Sequence, residues 1–295
     1  MKNALNYHYG LALDTIHQKQ KNYYFQVDNI NYLMMPYDNI EEIDEIYKLN
    51  VILSNYFPFH QIVLNKQQNV ITNINGDNYI LLKIFIDKKN IEINDIINLD
   101  NINIPLEQKK LRRDNWYQLW TQKVDYFEYQ LSQIGKKFPI IRESFNYYVG
   151  LAENAITIVS NTNKDNIYLG LSHRRIDNTA FQLYNPLNCI IDLRIRDICE
   201  YFKYCFFNNM DIINEVNLFL IYNKLSHEEK RLFLARMLFP TYYFDLYEKI
   251  IANEVKEEEI KKIISKVDKY EKLLKYIYLN FKNNNLYIDW LEKIN

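Results

Sequence analysis

The chain has 295 residues and a mass of 35.9 kDa, with 48% hydrophobic and 25% charged residues, a composition that fits one large or two modest globular domains and excludes intrinsic disorder. Thirty-six Lys and Arg against 37 Asp and Glu leave a net charge of -1, which removes bulk attraction to nucleic acid or an anionic membrane. Three cysteines without a Cys-x-x-Cys argue against a disulfide framework and a zinc site, no apolar run nears the roughly 18 residues of a membrane span, and the first residues lack a secretory signal, so a soluble, cytoplasmic chain is expected.

Glycine is scarce: 5 in 295 residues, about 2% where about 7% is usual, and no Gly-x-Gly occurs. A loop that turns several backbone N–H groups onto a phosphate usually needs clustered glycines. The 26 tyrosines, like the abundant Asn, Ile and Lys, fit the coding bias of an AT-rich genome.

In chain order, Asn22 to Val27 and Ile30 to Met35 flank Asp28-Asn29, which predicts a hairpin. Ile40 to Asn55 has helical spacing, with acids in its first turns. Strands are expected at Gln61 to Asn65, Asn69 to Ile74 and Tyr79 to Ile86, the last two joined at Asn75-Gly76-Asp77. Lys88 to Pro105 reads as a connector or short helix. Helices are predicted over Arg112 to Gln133, Phe145 to Ser160, Arg196 to Phe207, from Ser226 to Met237 or Leu238 behind a Ser226/Glu229 capping box, and as one long helix over Val255 to Phe281. A strand pair is expected at Ile167 to Ser172 and Cys189 to Leu193. The runs Glu257-Glu258-Glu259, Lys109 to Arg113 and Arg194-Ile195-Arg196 are expected on solvated faces. The fold class is α+β: a β-rich unit over residues 1–86 and a mainly helical one over 87–295.

No histidine pair has zinc spacing and no Gly-x-Ser-x-Gly elbow is present. Cys189, Cys199 and Cys205 lie in apolar surroundings and read as inert thiols. One stretch is unusual: Leu171-Ser172-His173-Arg174-Arg175-Ile176, then Asn188-Cys189-Ile190-Ile191-Asp192, then Arg196-Asp197-Ile198. With Phe145 to Ile156, it resembles the aminoglycoside phosphotransferase and choline kinase group of the kinase-like superfamily, in particular its CotS-type and related spore-coat-associated branch in Firmicutes.

The resemblance implies a bilobal kinase-like fold: a small N-terminal antiparallel lobe with one helix and a larger helical lobe. Active members carry His-x-Asp at the catalytic loop, where the Asp accepts the proton of the substrate hydroxyl. Here His173 is followed by Arg175 at the Asp position, and Ala180 stands where an Asn holds a second Mg²⁺. Arginine keeps its proton and cannot act as a base. A register slip would offer Asp177 or Asn178 instead. Met34 or Met35 stands at the phosphate-binding Lys position, and residues 14 to 25, where the phosphate-covering loop would lie, lack Gly. Asp192 matches the metal-binding Asp, as a vestige, while His173 and Asp197 match structural positions.

The expected function is therefore that of a catalytically inactive kinase-like protein, a pseudokinase with a structural or interaction role in the spore coat and other proteins as partners. No cofactor is expected. ATP and Mg²⁺ enter only if the chain is an active small-molecule phosphotransferase of the aminoglycoside or choline kinase type, or a regulatory pseudokinase that holds nucleotide without turnover. Asp192 is expected to face the cleft between the lobes, so that Asp192→Asn changes stability by well under about 1 kcal/mol. Asp197→Ala is expected to cost about 1–3 kcal/mol.

Overall fold

The computed structural model describes residues 1–86, 90–101, 106–163, 167–281 and 287–294. The elements begin with α1 (Lys2–Tyr9), β1 (His17–Lys19), β2 (Asn22–Val27), β3 (Ile30–Pro36), α2 (Ile43–Leu53), β4 (Gln61–Val63), β5 (Thr72–Ile74) and β6 (Asp77–Ile84). They continue with α3 (Ile93–Asp100), α4 (Trp116–Ile134), α5 (Pro139–Ser160), β7 (Leu169–His173), α6 (Ala180–Leu183), β8 (Cys189–Leu193) and α7 (Arg196–Phe207). The last are α8 (Ile213–Tyr222), α9 (His227–Leu238), α10 (Thr241–Ile251), α11 (Lys261–Ile264), α12 (Val267–Phe281) and α13 (Asp289–Lys293).

The chain forms two units, one of residues 1–92, 101–112 and 171–191, the other of 93–100, 113–170 and 192–295. The first unit thus takes up residues 87–92, 101–112 and 171–191, which a single cut after residue 86 assigns to the helical part. Of the connector expected at Lys88 to Pro105, residues 88, 89 and 102–105 lie outside the described residues; the rest contains α3.

In the first unit the strands form an antiparallel sheet in the order β1-β2-β3-β6-β4, with β5 also on β6. Its turns are written in the sequence. Asp28 and Asn29 both take positive φ, 50° and 62°, as do Asn75 and Gly76 at 54° and 95°, the primed geometry that matches the twist of a hairpin. The β1–β2 connection is only Gln20-Lys21, with Gln20 at φ 55°. Cross-strand pairing puts Tyr32 and Met34 of β3 on one face with Phe25 and Leu81, and Leu33 and Met35 on the other with Leu82 and Ile80. Leu5 of α1 closes the first face into a core with Phe25, Met34, Tyr79 and Leu81.

A 3-10 turn at Ile40–Glu42 leads into α2, which buries Ile43, Ile46, Leu49 and Leu53. Asn50 ties α2 to β4: its Nδ2 donates to His60 O at 2.7 Å, and its Oδ1 accepts from Ile62 N at 2.9 Å. An antiparallel sheet with one helix between β3 and β4 is the arrangement expected at this end of the chain.

In the second unit α5 buries Phe145, Tyr148, Val149, Ala152 and Val159, beginning at Pro139 rather than Phe145. The Ser226/Glu229 capping box opens α9 as predicted. The single helix expected over Val255 to Phe281 is instead a 3-10 turn (Glu257–Ile260), α11 and α12, interrupted at Ser265-Lys266. Interruption lets each part meet a helix end. Glu257 Oε1 accepts the Ile141 N–H in the first turn of α5 at 2.9 Å, and the Lys266 ammonium donates to Phe207 O at the end of α7. Glu257 therefore caps a helix instead of joining the solvated face.

Candidate functional site

The stretch after β7 is held by its own backbone and by Asn188. His173 is buried, and its Nε2–H donates to Leu183 O at 2.8 Å. Asn188 Oδ1 accepts from Arg175 N at 3.1 Å while its Nδ2 donates to Arg175 O at 2.6 Å. Arg174 forms an ion pair with Glu42, beside the start of α2. Arg175 is exposed, and its Nη1 donates to Arg174 O at 3.0 Å. Asp177 is a turn acid: its Oδ1 accepts from Thr179 N at 2.7 Å and Thr179 Oγ1 at 2.6 Å, just before Ala180 opens α6, fully buried. Asn178 O accepts from Ile91 N at 2.9 Å.

The two methionines of β3 part company. Met34 lies in the apolar core under α1, and Met35 is half-buried on the opposite face. A cavity of about 410 Å³ has Leu33, Asn31, Tyr24, Gln26, Ile84 and Phe181 in its lining. Among the described residues, no ammonium or guanidinium group lines it.

In the second unit Asp192, at the end of β8, is fully buried. Its Oδ1 accepts the Trp116 indole N–H at 2.8 Å and its own neighbour's N–H, of Leu193, at 2.7 Å. Its Oδ2 pairs with Arg196 Nη1 at 2.5 Å, at the first residue of α7. Burial raises the Asp192 carboxyl, and Arg196 with Arg236 works against that rise. Asp197, the next residue along α7, is also buried.

The charges continue inward. Arg236 lies over the rings of Trp116 and Trp120 at 5.0 and 5.5 Å and pairs with Glu200 at 2.6 Å. Lys203 pairs with Glu200 at 2.7 Å and donates to Arg236 O and Phe239 O. Burial pushes Lys203 down to about 8, against the pull of Glu200. Glu200 is held below the usual carboxylate range despite burial, because Arg236 and Lys203 flank it. Arg194 pairs with Glu229 at 2.7 Å. Arg194 and Arg196 are thus partnered, not the solvated basic face the sequence suggests.

Trp116, Glu200, Lys203 and Arg236 were not singled out for this site by the sequence, and Arg196 was named only as part of the unusual stretch and of a basic run. The i, i+4 spacing of Asp192 and Arg196 was its readable part; Trp116 lies 76 positions away and carried no local signal. Among the described residues no cluster of His, Cys, Asp or Glu could hold a metal ion, and no helix is long and apolar enough to cross a membrane.

Comparison with known proteins agrees with this architecture. The endospore coat-associated protein YutH of Bacillus subtilis (strain 168) is 24% identical over 334 residues, covering 99% of this chain and 98% of that one. An aminoglycoside phosphotransferase from Alicyclobacillus acidocaldarius has a TM-score of 0.69 at 10% identity, covering 96% of this chain and 97% of its own. Spectinomycin phosphotransferase APH(9)-Ia gives 0.61 at 11% identity, over 99% and 95%. Choline kinase LicA from Streptococcus pneumoniae gives 0.55 at 11%, over 92% and 96%. At such identities these structures share the fold alone. A family model described as spore coat putative kinase YutH matches residues 2–277, nearly the whole chain, and the chain therefore belongs to that family.

Proposed function

We propose that this chain serves in the spore coat as a kinase-fold protein that binds other proteins and does not transfer phosphate. The observation that carries the reading is the state of Asp192. A metal-binding Asp must offer oxygen lone pairs to Mg²⁺, a cation that demands near-octahedral oxygen ligands. Here one oxygen takes two N–H donors, and the other pairs with a guanidinium whose charge is permanent. The residues present do not fit the metal. Arg175 at the base position and Met34 or Met35 at the Lys position agree with this. Loss of a general base alone costs about 10²–10⁴ in rate, and loss of phosphate-clamping charge removes further stabilisation. The coat assignment is supported by membership of the family and by the coat association named for the Bacillus relative.

A second reading, nucleotide held without turnover, has one observation in its favour: the cavity of about 410 Å³ on the sheet. The test of the first reading is ADP release from ATP and Mg²⁺ with aminoglycoside, choline and sugar acceptors. None is expected above background, and Arg175→Asp alone restores none. Stoichiometric ADP release with any acceptor would establish a working phosphotransferase.

A further inference from the structure

On the second unit, α8 is more apolar than its burial explains. Val216 and Phe219 are buried, whereas Ile213, Leu218, Ile221 and Tyr222 are exposed, the last two at 71% and 76%. Beside it α12 leaves Tyr276 and Leu279 exposed, with the Tyr276 hydroxyl bonded to Asn217 Oδ1 of α8. Where α7, α8 and α12 meet there is a cavity of about 350 Å³, walled by Phe206, Ile213, Leu273 and Tyr276 and completed by Lys269 and Lys272. Both lysines are exposed, neither is bonded to or ion-paired with a described residue, and among the described residues no carboxylate lines the cavity. Scattered exposed apolar residues are ordinary on a protein, but here Ile213 and Tyr276 line a cavity and Leu218, Ile221, Tyr222 and Leu279 extend the exposed apolar surface along the same two helices, which marks an interaction face.

We propose that α8 and α12 form a docking face for an acidic amphipathic helix of another protein. Such a helix sets apolar side chains at i, i+3 or i+4, and i+7 into the cavity and over Ile221 and Tyr222, while its Asp or Glu residues meet Lys269 and Lys272. The apolar surface runs along two helices, further than a small molecule filling the cavity would cover. A second copy of this chain is a poor occupant. An isologous contact sets the face against itself and brings the cavity's two lysines of each copy together, with no acid among the described lining residues to oppose them. The inference takes from the proposed function only the coat as the place of the partner, and failure of docking leaves the reading on phosphate transfer intact.

The experiment titrates the full chain with two labelled synthetic helical peptides of the same apolar pattern, one with Glu and one with Lys at the polar positions. The wild type is expected to bind the Leu–Glu peptide about tenfold or more tighter than the Leu–Lys peptide. Lys269→Glu with Lys272→Glu reverses that preference, and Ile221→Ser with Tyr222→Ser weakens binding to a similar extent. All four positions are exposed, so these variants are expected to fold; unchanged thermal melts check it. Equal affinity for the two peptides, or a preference that survives charge reversal, overturns the proposal. So does self-association of the wild type that Ile221→Ser abolishes, or tighter binding to phosphatidylglycerol vesicles than to the acidic peptide.

Discussion

The Arg196 guanidinium keeps its charge at every pH a protein survives, so the fate of Asp192 is tied to it. Removing one partner of a buried ion pair leaves the other charge uncompensated. Asp192→Asn is therefore expected to cost about 3 kcal/mol, measured as a shift in denaturant midpoint, and the loss is the same with and without Mg²⁺. An effect well under about 1 kcal/mol would return Asp192 to the energetically minor, cleft-facing role expected from sequence alone. Two further groups give the molecule a pH signature. Asp100 ends α3 with Oδ1 buried and without a partner among the described residues, and burial pushes its carboxyl up to about 7, with Asp197 and Glu229 adding to the rise and Arg194 opposing it. The folded chain thus holds this proton more tightly than the unfolded chain. Stability from Asp100 is full below pH 3.8, falls as pH rises, and is gone above about 7. Asp100→Asn is expected to match the wild type near pH 4 and to exceed it by about 2 kcal/mol at pH 8, read from urea melts. His60 has the opposite slope. Its ring is buried against Phe181, neither nitrogen meets a side-chain partner among the described residues, and burial lowers it from 6.5 to about 4. Stability is full above pH 6.5 and is lost as pH falls through that interval; His60→Phe is expected to flatten the loss.

At the scale of elements, what the sequence announced and what it hid differ in range. Asp28-Asn29 and Asn75-Gly76 specify their turns within two residues, because positive φ at both positions admits few side chains. Gly76→Ala is accordingly expected to lower the unfolding midpoint, at a cost of about 1 kcal/mol, although no atom lies within 4 Å of the added methyl. The Ser226 cap was equally local, and Ser226→Ala should cost a similar amount. α1 was invisible: Lys2–Tyr9 has few apolar residues, and its place depends on Leu5 meeting Phe25 and Met34 of the sheet. The break before α12 was hidden for the same reason, since Glu257 and Lys266 answer to helix ends far away in sequence. For the site, His173, Asp192 and Asp197 were legible only as the positions to which the resemblance points. The burial of Asp192 was not, because it depends on Trp116 and on tertiary placement of Arg196.

At the scale of the whole molecule, the chain has the fold of kinase-like phosphotransferases, and under the proposed function that fold is kept while the groups that act on phosphate are changed. The fold is shared with phosphotransferases at 10% and 11% identity, as expected when packing and turn chemistry, rather than catalytic residues, specify a backbone. The buried charges from Asp192 through Arg196, Glu200 and Lys203 to Arg236 give the second unit a polar interior that a bound cation would have to unpair. Thermal melting with ATP alone and with ATP plus Mg²⁺ tests this most directly, with Mg²⁺ alone as the control. A ligand at a hundred times its Kd stabilises by about 2.7 kcal/mol, ample for a visible shift. The account predicts the same midpoint with ATP whether or not Mg²⁺ is present; a rise that requires both together, and disappears in Asp192→Asn, would contradict it.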